Sequence, residues 1–179
     1  MSSTLKVPVY IEQLKPYVAG KPIEETQREY GVKKVVKLAS NENPLGPSPK
    51  SIAAIRKALK NLHYYPDPAG FHLRNALAKI EGVAFEEIVL GNGSNEVMEF
   101  IFRTYCTPGD RMVAGQGVFA AFPISARIQG VETTFVPLTK DFKFNLEAML
   151  EEAKNDERVN VIAIPNPNNP TGTYNTEKE

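Results

Sequence analysis

Apolar residues recur at helical spacing in several stretches of the chain and gather into short continuous runs in others. Ile52, Ile55 and Leu59 stand at i, i+3 and i+7. Ser48 precedes them as a cap, and Pro49 takes the first helical position, where a missing N–H costs nothing. A second helix is predicted over 71–80, with Leu73, Leu77 and Ile80 inward. Val97, Met98, Ile101, Phe102 and Tyr105 form the stripe of a third, which starts near Ser94. Residues 119–129 read as helical, with Pro123 tolerable in the first turn and Gly130 as the stop. Asn145 caps a helix through Lys154, with Glu147 early and Lys154 late, as the macrodipole prefers.

The short runs predict strands at 87–90, ending at Gly91, at 111–114 after the turn Pro108-Gly109-Asp110, at 133–138 and at 159–164. Residues 1–45 are weakly periodic. They carry a strand pattern at 35–38 and otherwise read as an extended arm. Strands alternating with helices predict an α/β layered domain with a mainly parallel sheet. Ligands of such sheets lie outside the carboxyl ends of the strands. Two polar loops occupy that position, at 91–95 and 165–172.

Composition narrows the class. Of 179 residues, 42% are apolar and 23% charged, which is the balance of a globular domain or part of one. The 21 Lys and Arg match 21 Asp and Glu, which argues against a broadly basic nucleic-acid binder. Cys106 is the single cysteine, so no internal disulfide is expected. With only His63 and His72 beside it, no metal site is expected either. Residues 1–15 show no signal-peptide pattern, and no run reaches the ~18 apolar residues of a membrane span. The expectation is a soluble, cytoplasmic protein without nucleic-acid or membrane partners.

The loop Gly91-Asn92-Gly93-Ser94-Asn95-Glu96 leaves a predicted strand and opens a helix. Its glycines let the backbone approach a ligand, and the first helical N–H groups lack intrahelical partners, so it suits an anion such as a phosphate. A glycine-rich turn with an ordinary cap explains the same residues. The loop Pro165-Asn166-Pro167-Asn168-Asn169-Pro170-Thr171-Gly172 is stiffened by its prolines and presents carboxamides that both donate and accept, or it is a rigid crossover without chemistry. Residues 38–47 read alone as a turn-rich linker, the tyrosines of 64–70 as packing residues beside prolines, Phe119 and Phe122 as core aromatics, and Cys106 as an apolar filler.

Taken in order, Asn41-Glu42-Asn43-Pro44-Leu45-Gly46-Pro47, then Tyr65-Pro66-Asp67-Pro68-Ala69-Gly70, then 91–96, then Pro167-Asn168-Asn169-Pro170-Thr171-Gly172 resemble the fold-type-I pyridoxal-phosphate aminotransferases. Within them the set is most similar to the histidinol-phosphate aminotransferases, over about residues 35–179. The resemblance implies a three-layer fold with a mixed, mainly parallel sheet and flanking helices, incomplete at the C-terminus. It implies an N-terminal arm or small-domain segment over 1–45 and the first part of the large cofactor domain over 46–179. Ser94 and Asn95 would hold the phosphate of pyridoxal 5'-phosphate. Phe119 would stack on its ring, and Asn169 would hydrogen-bond its phenolic oxygen. Tyr65 would reach the phosphate of a neighbouring subunit, making a homodimer with shared sites. Asn41, Glu42 and Asn43 would line the substrate pocket.

The implied activity moves an amino group between L-histidinol phosphate and 2-oxoglutarate. The rival readings are a related enzyme with another substrate (aromatic aminotransferase or threonine-phosphate decarboxylase-like) and a non-catalytic phosphate-binding fragment. The family's Schiff-base lysine is expected beyond Glu179, so residues 1–179 alone are expected to be inactive and to leave uncovered sheet edges. Lys50, in Ser48-Pro49-Lys50-Ser51, is the nearest lookalike and lies at a helix start.

Overall fold

The computed structural model describes residues 6–17 and 20–179. They fall into two compact units, one of Met1–Tyr17 with Val89–Glu179 and the other of Val18–Ile88.

The first unit contains helix α1 (Val9–Glu12) and, counted along the whole chain, α5 (Ser94–Tyr105), α6 (Ala121–Ile128) and α7 (Leu146–Asn155), with strands β1 (Arg111–Gly115), β2 (Glu132–Val136) and β3 (Val159–Ala163). The strands form one sheet in the order β2-β1-β3, with both pairings parallel, as the alternation of strands and helices predicts. Val113 of β1 stands opposite Thr134 on one side and Ile162 on the other. A central parallel strand is enclosed on both faces and therefore carries a continuous apolar run. Met112, Val113 and Ala114 of β1 are accordingly fully buried. The crossover through α6 moves the chain from β1 outward to β2, and the one through α7 returns it past β1 to β3. Right-handed crossovers in opposite directions place α6 and α7 on opposite faces of the sheet. The core joins Met98 and Phe102 of α5 to the buried stretch of β1, to Ala126 and Val131, and to Phe144 and Met149. Burying the Met, Phe and Val side chains among these contributes about 1.5–3 kcal/mol each. Helix α6 starts two residues after Phe119, so Pro123 falls in its first turn without removing a helical hydrogen bond. The outer edges of β2 and β3 have no ladder partner among the described residues, and Ile162 and Ile164 are about two-fifths exposed.

The second unit contains α2 (Ile23–Tyr30), α3 (Pro49–Ala58), α4 (Phe71–Glu81) and 3-10 turns at Leu59–Asn61 and Phe85–Glu87. None of its described residues is buried. Helix α3 starts after Ser48 with Pro49 at its first position. Asp67 starts α4 by accepting from the backbone N–H groups of Ala69 and Phe71 at 3.0 and 2.8 Å. Arg74 fastens the following turn, donating from Nη2 to the Phe85 carbonyl at 2.7 Å with its guanidinium 3.7 Å from the ring.

Four expectations are corrected. The extended arm lies outside the described residues at 1–5 and 18–19; elsewhere it contains α1 and α2. No strand forms at 35–38. Residues 87–90 are not a strand either: Glu87 closes the 3-10 turn by accepting from Ala84 N–H at 2.7 Å, and residues 88–90 run on without a ladder partner. In α4, Leu73 and Ile80 are exposed, and only Leu77 of the three expected inward residues is half-buried.

Candidate functional site

The loop 91–93 is shaped by its glycines. A Cβ on Gly91 would meet Val97 Cγ2 at 3.0 Å and Glu96 Oε2 at 3.2 Å, and Gly93 has φ of +83°. Glu96, in the first turn of α5, folds its carboxylate back onto the loop, accepting from Asn92 N–H at 2.6 Å and from Asn92 Nδ2 at 3.1 Å. Helix α5 therefore begins at Ser94 with no side chain capping its first N–H groups. Ser94 and Asn95 are exposed there. An uncapped start of a twelve-residue helix presents donors and a favourable dipole to an anion.

Phe119 lies between the carboxyl end of β1 and α6. It follows Gly117, with φ of +77°, and Val118, whose N–H donates to Gly115 O at 3.2 Å. Its ring is half-buried and meets Tyr17 edge-on, with centroids 6.1 Å apart and planes at 73°. Asn95, Phe119 and Tyr17, with Glu99 and Ser125, line one cavity of about 160 Å³. The start of α5 and the residue after the β1 turn thus meet at one place.

The loop after β3 folds on itself around Asn168, which is 4% exposed. Its N–H donates to Thr173 O at 2.8 Å, and its carbonyl accepts from Gly172 N–H at 2.8 Å. Its carboxamide Nδ2 donates to Thr171 Oγ1 at 2.9 Å and to Gly117 O at 3.4 Å, which joins this loop to the turn bearing Phe119. Asn169, next in the chain, is half-buried.

The remaining expected residues lie in the second unit. Asn41, with φ of +49°, Glu42 and Asn43 form an exposed turn. Glu42 pairs with Lys37, and Asn43 Oδ1 accepts from Leu45 N–H at 3.0 Å. Tyr65 is fully exposed. Asn168 is given no individual role in the sequence expectations, and Tyr17 does not enter them. Asn168 shares every local signal with its neighbour Asn169, and Tyr17 stands alone in a stretch without periodicity. Among the described residues no group of three His, Cys, Asp or Glu side chains is placed to hold a metal, and no helix is long and apolar enough to cross a membrane.

The carboxyl ends of β1 and β3 carry an aromatic face and a carboxamide loop, and the uncapped start of α5 meets the aromatic at one cavity, the arrangement of an α/β enzyme with an anion-binding helix start. The chain belongs to the aminotransferase class I and II family, whose description matches residues 33–179. It is 44% identical over 173 residues to the histidinol-phosphate aminotransferase of Anaeromyxobacter sp. and 46% identical over 176 residues to histidinol-phosphate aminotransferase 2 of Methylococcus capsulatus. These alignments cover 97% and 96% of this chain and 47% of each relative, so the chain spans about half the length of the curated relatives it matches. Among solved structures, it superposes on histidinol-phosphate aminotransferase from Sinorhizobium meliloti in complex with pyridoxal-5'-phosphate, with a TM-score of 0.81 and 28% identity over 94% of this chain and 44% of that one. Alanine aminotransferase from Pyrococcus furiosus, at 21% identity and a TM-score of 0.73 over 86% of this chain and 42% of that one, shares the fold.

Proposed function

We propose that the protein is a pyridoxal-phosphate-dependent aminotransferase that takes the amino group of L-histidinol phosphate and passes it to 2-oxoglutarate. The observation that carries this reading is the meeting of the uncapped α5 start with Phe119 at one small cavity. The residues fit the cofactor. The N–H groups at Ser94 and Asn95 suit its phosphate, Phe119 offers a flat apolar face to its ring, and Asn169 supplies a carboxamide to its phenolic oxygen. When bound, the cofactor supplies the electron sink for moving the amino group.

This chain's residues orient and hold. The glycine-shaped loop leads into α5 without a side chain capping its first N–H groups. Phe119 and Tyr17 form one wall of the cavity, their rings edge to face. Residues 1–45 act as arm and small-domain segment and 46–179 as the first part of the large domain. Asn41, Glu42 and Asn43 line the substrate pocket. The full exposure of Tyr65 supports a role outside its own subunit, at the phosphate of a partner in a cytoplasmic homodimer.

The test is amino transfer by the full-length polypeptide with added pyridoxal phosphate, offering L-histidinol phosphate and aromatic amino acids as competing donors. Turnover preferring histidinol phosphate is expected. Preference for the aromatic donors moves the assignment to another substrate, and failure to bind the cofactor overturns it.

A further inference from the structure

The buried carboxamide of Asn168 begins a directional chain of hydrogen bonds. Its Nδ2 faces Thr171 Oγ1 at 2.9 Å, Thr171 Oγ1 lies 2.7 Å from Thr173 Oγ1, and Thr173 Oγ1 donates to the Phe142 carbonyl at 2.6 Å. A carbonyl can only accept, so the direction of the whole chain is set at Phe142. Thr173 must donate to it, Thr171 must donate to Thr173, and Asn168 must donate to Thr171. The second acceptor of Nδ2, the Gly117 carbonyl at 3.4 Å, imposes the same orientation. Asn168 Oδ1 is left buried without a hydrogen-bond partner among the described residues. A residue that merely filled this space would be apolar, since a buried polar atom without a partner is disfavoured. What the carboxamide provides is direction: its Nδ2 bridges its own loop, at Thr171, and the turn bearing Phe119, at Gly117.

We infer that Asn168 is a positioning residue for the reaction. Through Gly117 and Thr171 it fixes the Phe119 ring and the Asn169 carboxamide relative to each other. The inference rests on the reading above, in which these two groups hold the cofactor. Asn168 does not touch the cofactor and acts through its neighbours in the chain and across the bond to Gly117. Thr171 shares the role as the acceptor that orients the carboxamide.

The experiment compares Asn168→Ala, Thr171→Val, Thr171→Ser and Asn169→Ala in the full-length polypeptide. One measurement is the pH titration of the absorbance of bound pyridoxal phosphate. The other is amide hydrogen exchange at Val118 and Phe119 without cofactor. Asn168→Ala and Thr171→Val are each expected to move the titration midpoint by about half a pH unit or more, in the same direction as Asn169→Ala. Both are also expected to speed exchange at Val118 and Phe119, and Thr171→Ser, which keeps the hydroxyl, to restore both readouts. Should Asn168→Ala fail to fold, Thr171→Val decides, since it keeps the shape of the side chain. Faster exchange without a spectral shift would make the network a structural tie alone and overturn the positioning role. A midpoint moved by Asn169→Ala but by neither of the other two would do the same while leaving the cofactor reading intact. A midpoint that Asn169→Ala also leaves in place would remove both.

Discussion

Gly115 and Gly93 sit beside the same site and are glycine for different reasons. At Gly115, the last residue of β1, an added Cβ would overlap the ring of Phe144 and approach Leu138 Cδ2 at 3.2 Å. At Gly93 nothing lies within 4 Å of the added atom, and the constraint is the positive φ alone. Gly115→Ala is therefore an overpacking change, expected to lower the unfolding free energy by about 1–3 kcal/mol or more because ring and backbone must both give way. Gly93→Ala meets only backbone strain: at φ of +83° and ψ of 175° it lies in a region essentially confined to glycine, which costs other residues about 1–3 kcal/mol. Urea titration in the full-length protein checks the packing role by adding Phe144→Leu, which is expected to relieve Gly115→Ala and not Gly93→Ala; no relief would contradict the assignment of Gly115 to packing. Sequence reading finds residues of this kind unevenly. Asn95 and Phe119 come from motif order and share a cavity in the structure. Asn168 differs from Asn169 only in being turned inward, and no spacing rule encodes that.

Helix α7 and the turn after it show how local chemistry sets an element's ends. Asn145 Oδ1 accepts from Ala148 N–H at 3.2 Å, satisfying one of the free donors of α7. Asn145→Ala is expected to cost about 0.5–2 kcal/mol by thermal unfolding, and Asn145→Ser to recover most of it. Past the other end, Asp156 accepts from Arg158 Nε at 2.9 Å, Arg158 Nη2 at 2.7 Å and Arg158 N–H at 3.1 Å, with Arg111 Nη1 at 3.3 Å. The hydrogen bonds from Arg158 lead and the charge of Arg111 adds to them, lowering the carboxyl from its ordinary 3.8 to about 2. A lowered carboxylate stabilises the fold above the unfolded value and loses that contribution as pH falls towards the folded one. Asp156→Asn is thus expected to flatten the fall in stability between about pH 4 and pH 2. Urea midpoints measured across that range check it, and an unchanged acid limb would refute the role given to Asp156. Elements with strong ends or a buried stripe are those the sequence reveals: α3 by Ser48 and Pro49, α5 by its apolar face, α7 by Asn145. Helix α2 has Pro22 before it and Gly31 after it but buries nothing, so its apolar pattern is silent. Residues 87–90 carry a strand composition, but a strand also needs a neighbour, which composition does not specify.

Across the whole molecule, the faces left uncovered say as much as the core. Ile162 of β3 and Ile164 just after it are partly exposed, and Val89, Phe100, Ile101 and Tyr105 surround an apolar groove of about 550 Å³ along α5. Open strand edges and apolar grooves of this size drive association. A polypeptide of residues 1–179 is expected to form concentration-dependent assemblies in light scattering, with Ile162→Lys reducing them; a monodisperse monomer at high micromolar concentration would count against this. The strand order also has a consequence in time. The central strand is the first of the three to leave the ribosome, and its second partner comes last. At ~5–20 residues per second, the roughly 45 residues that separate β1 from β3 take a few seconds to make. Throughout that interval Met112, Val113 and Ala114, which end with no solvent contact, can pair on one side at most. The nascent chain is most in need of a chaperone's cover during those seconds.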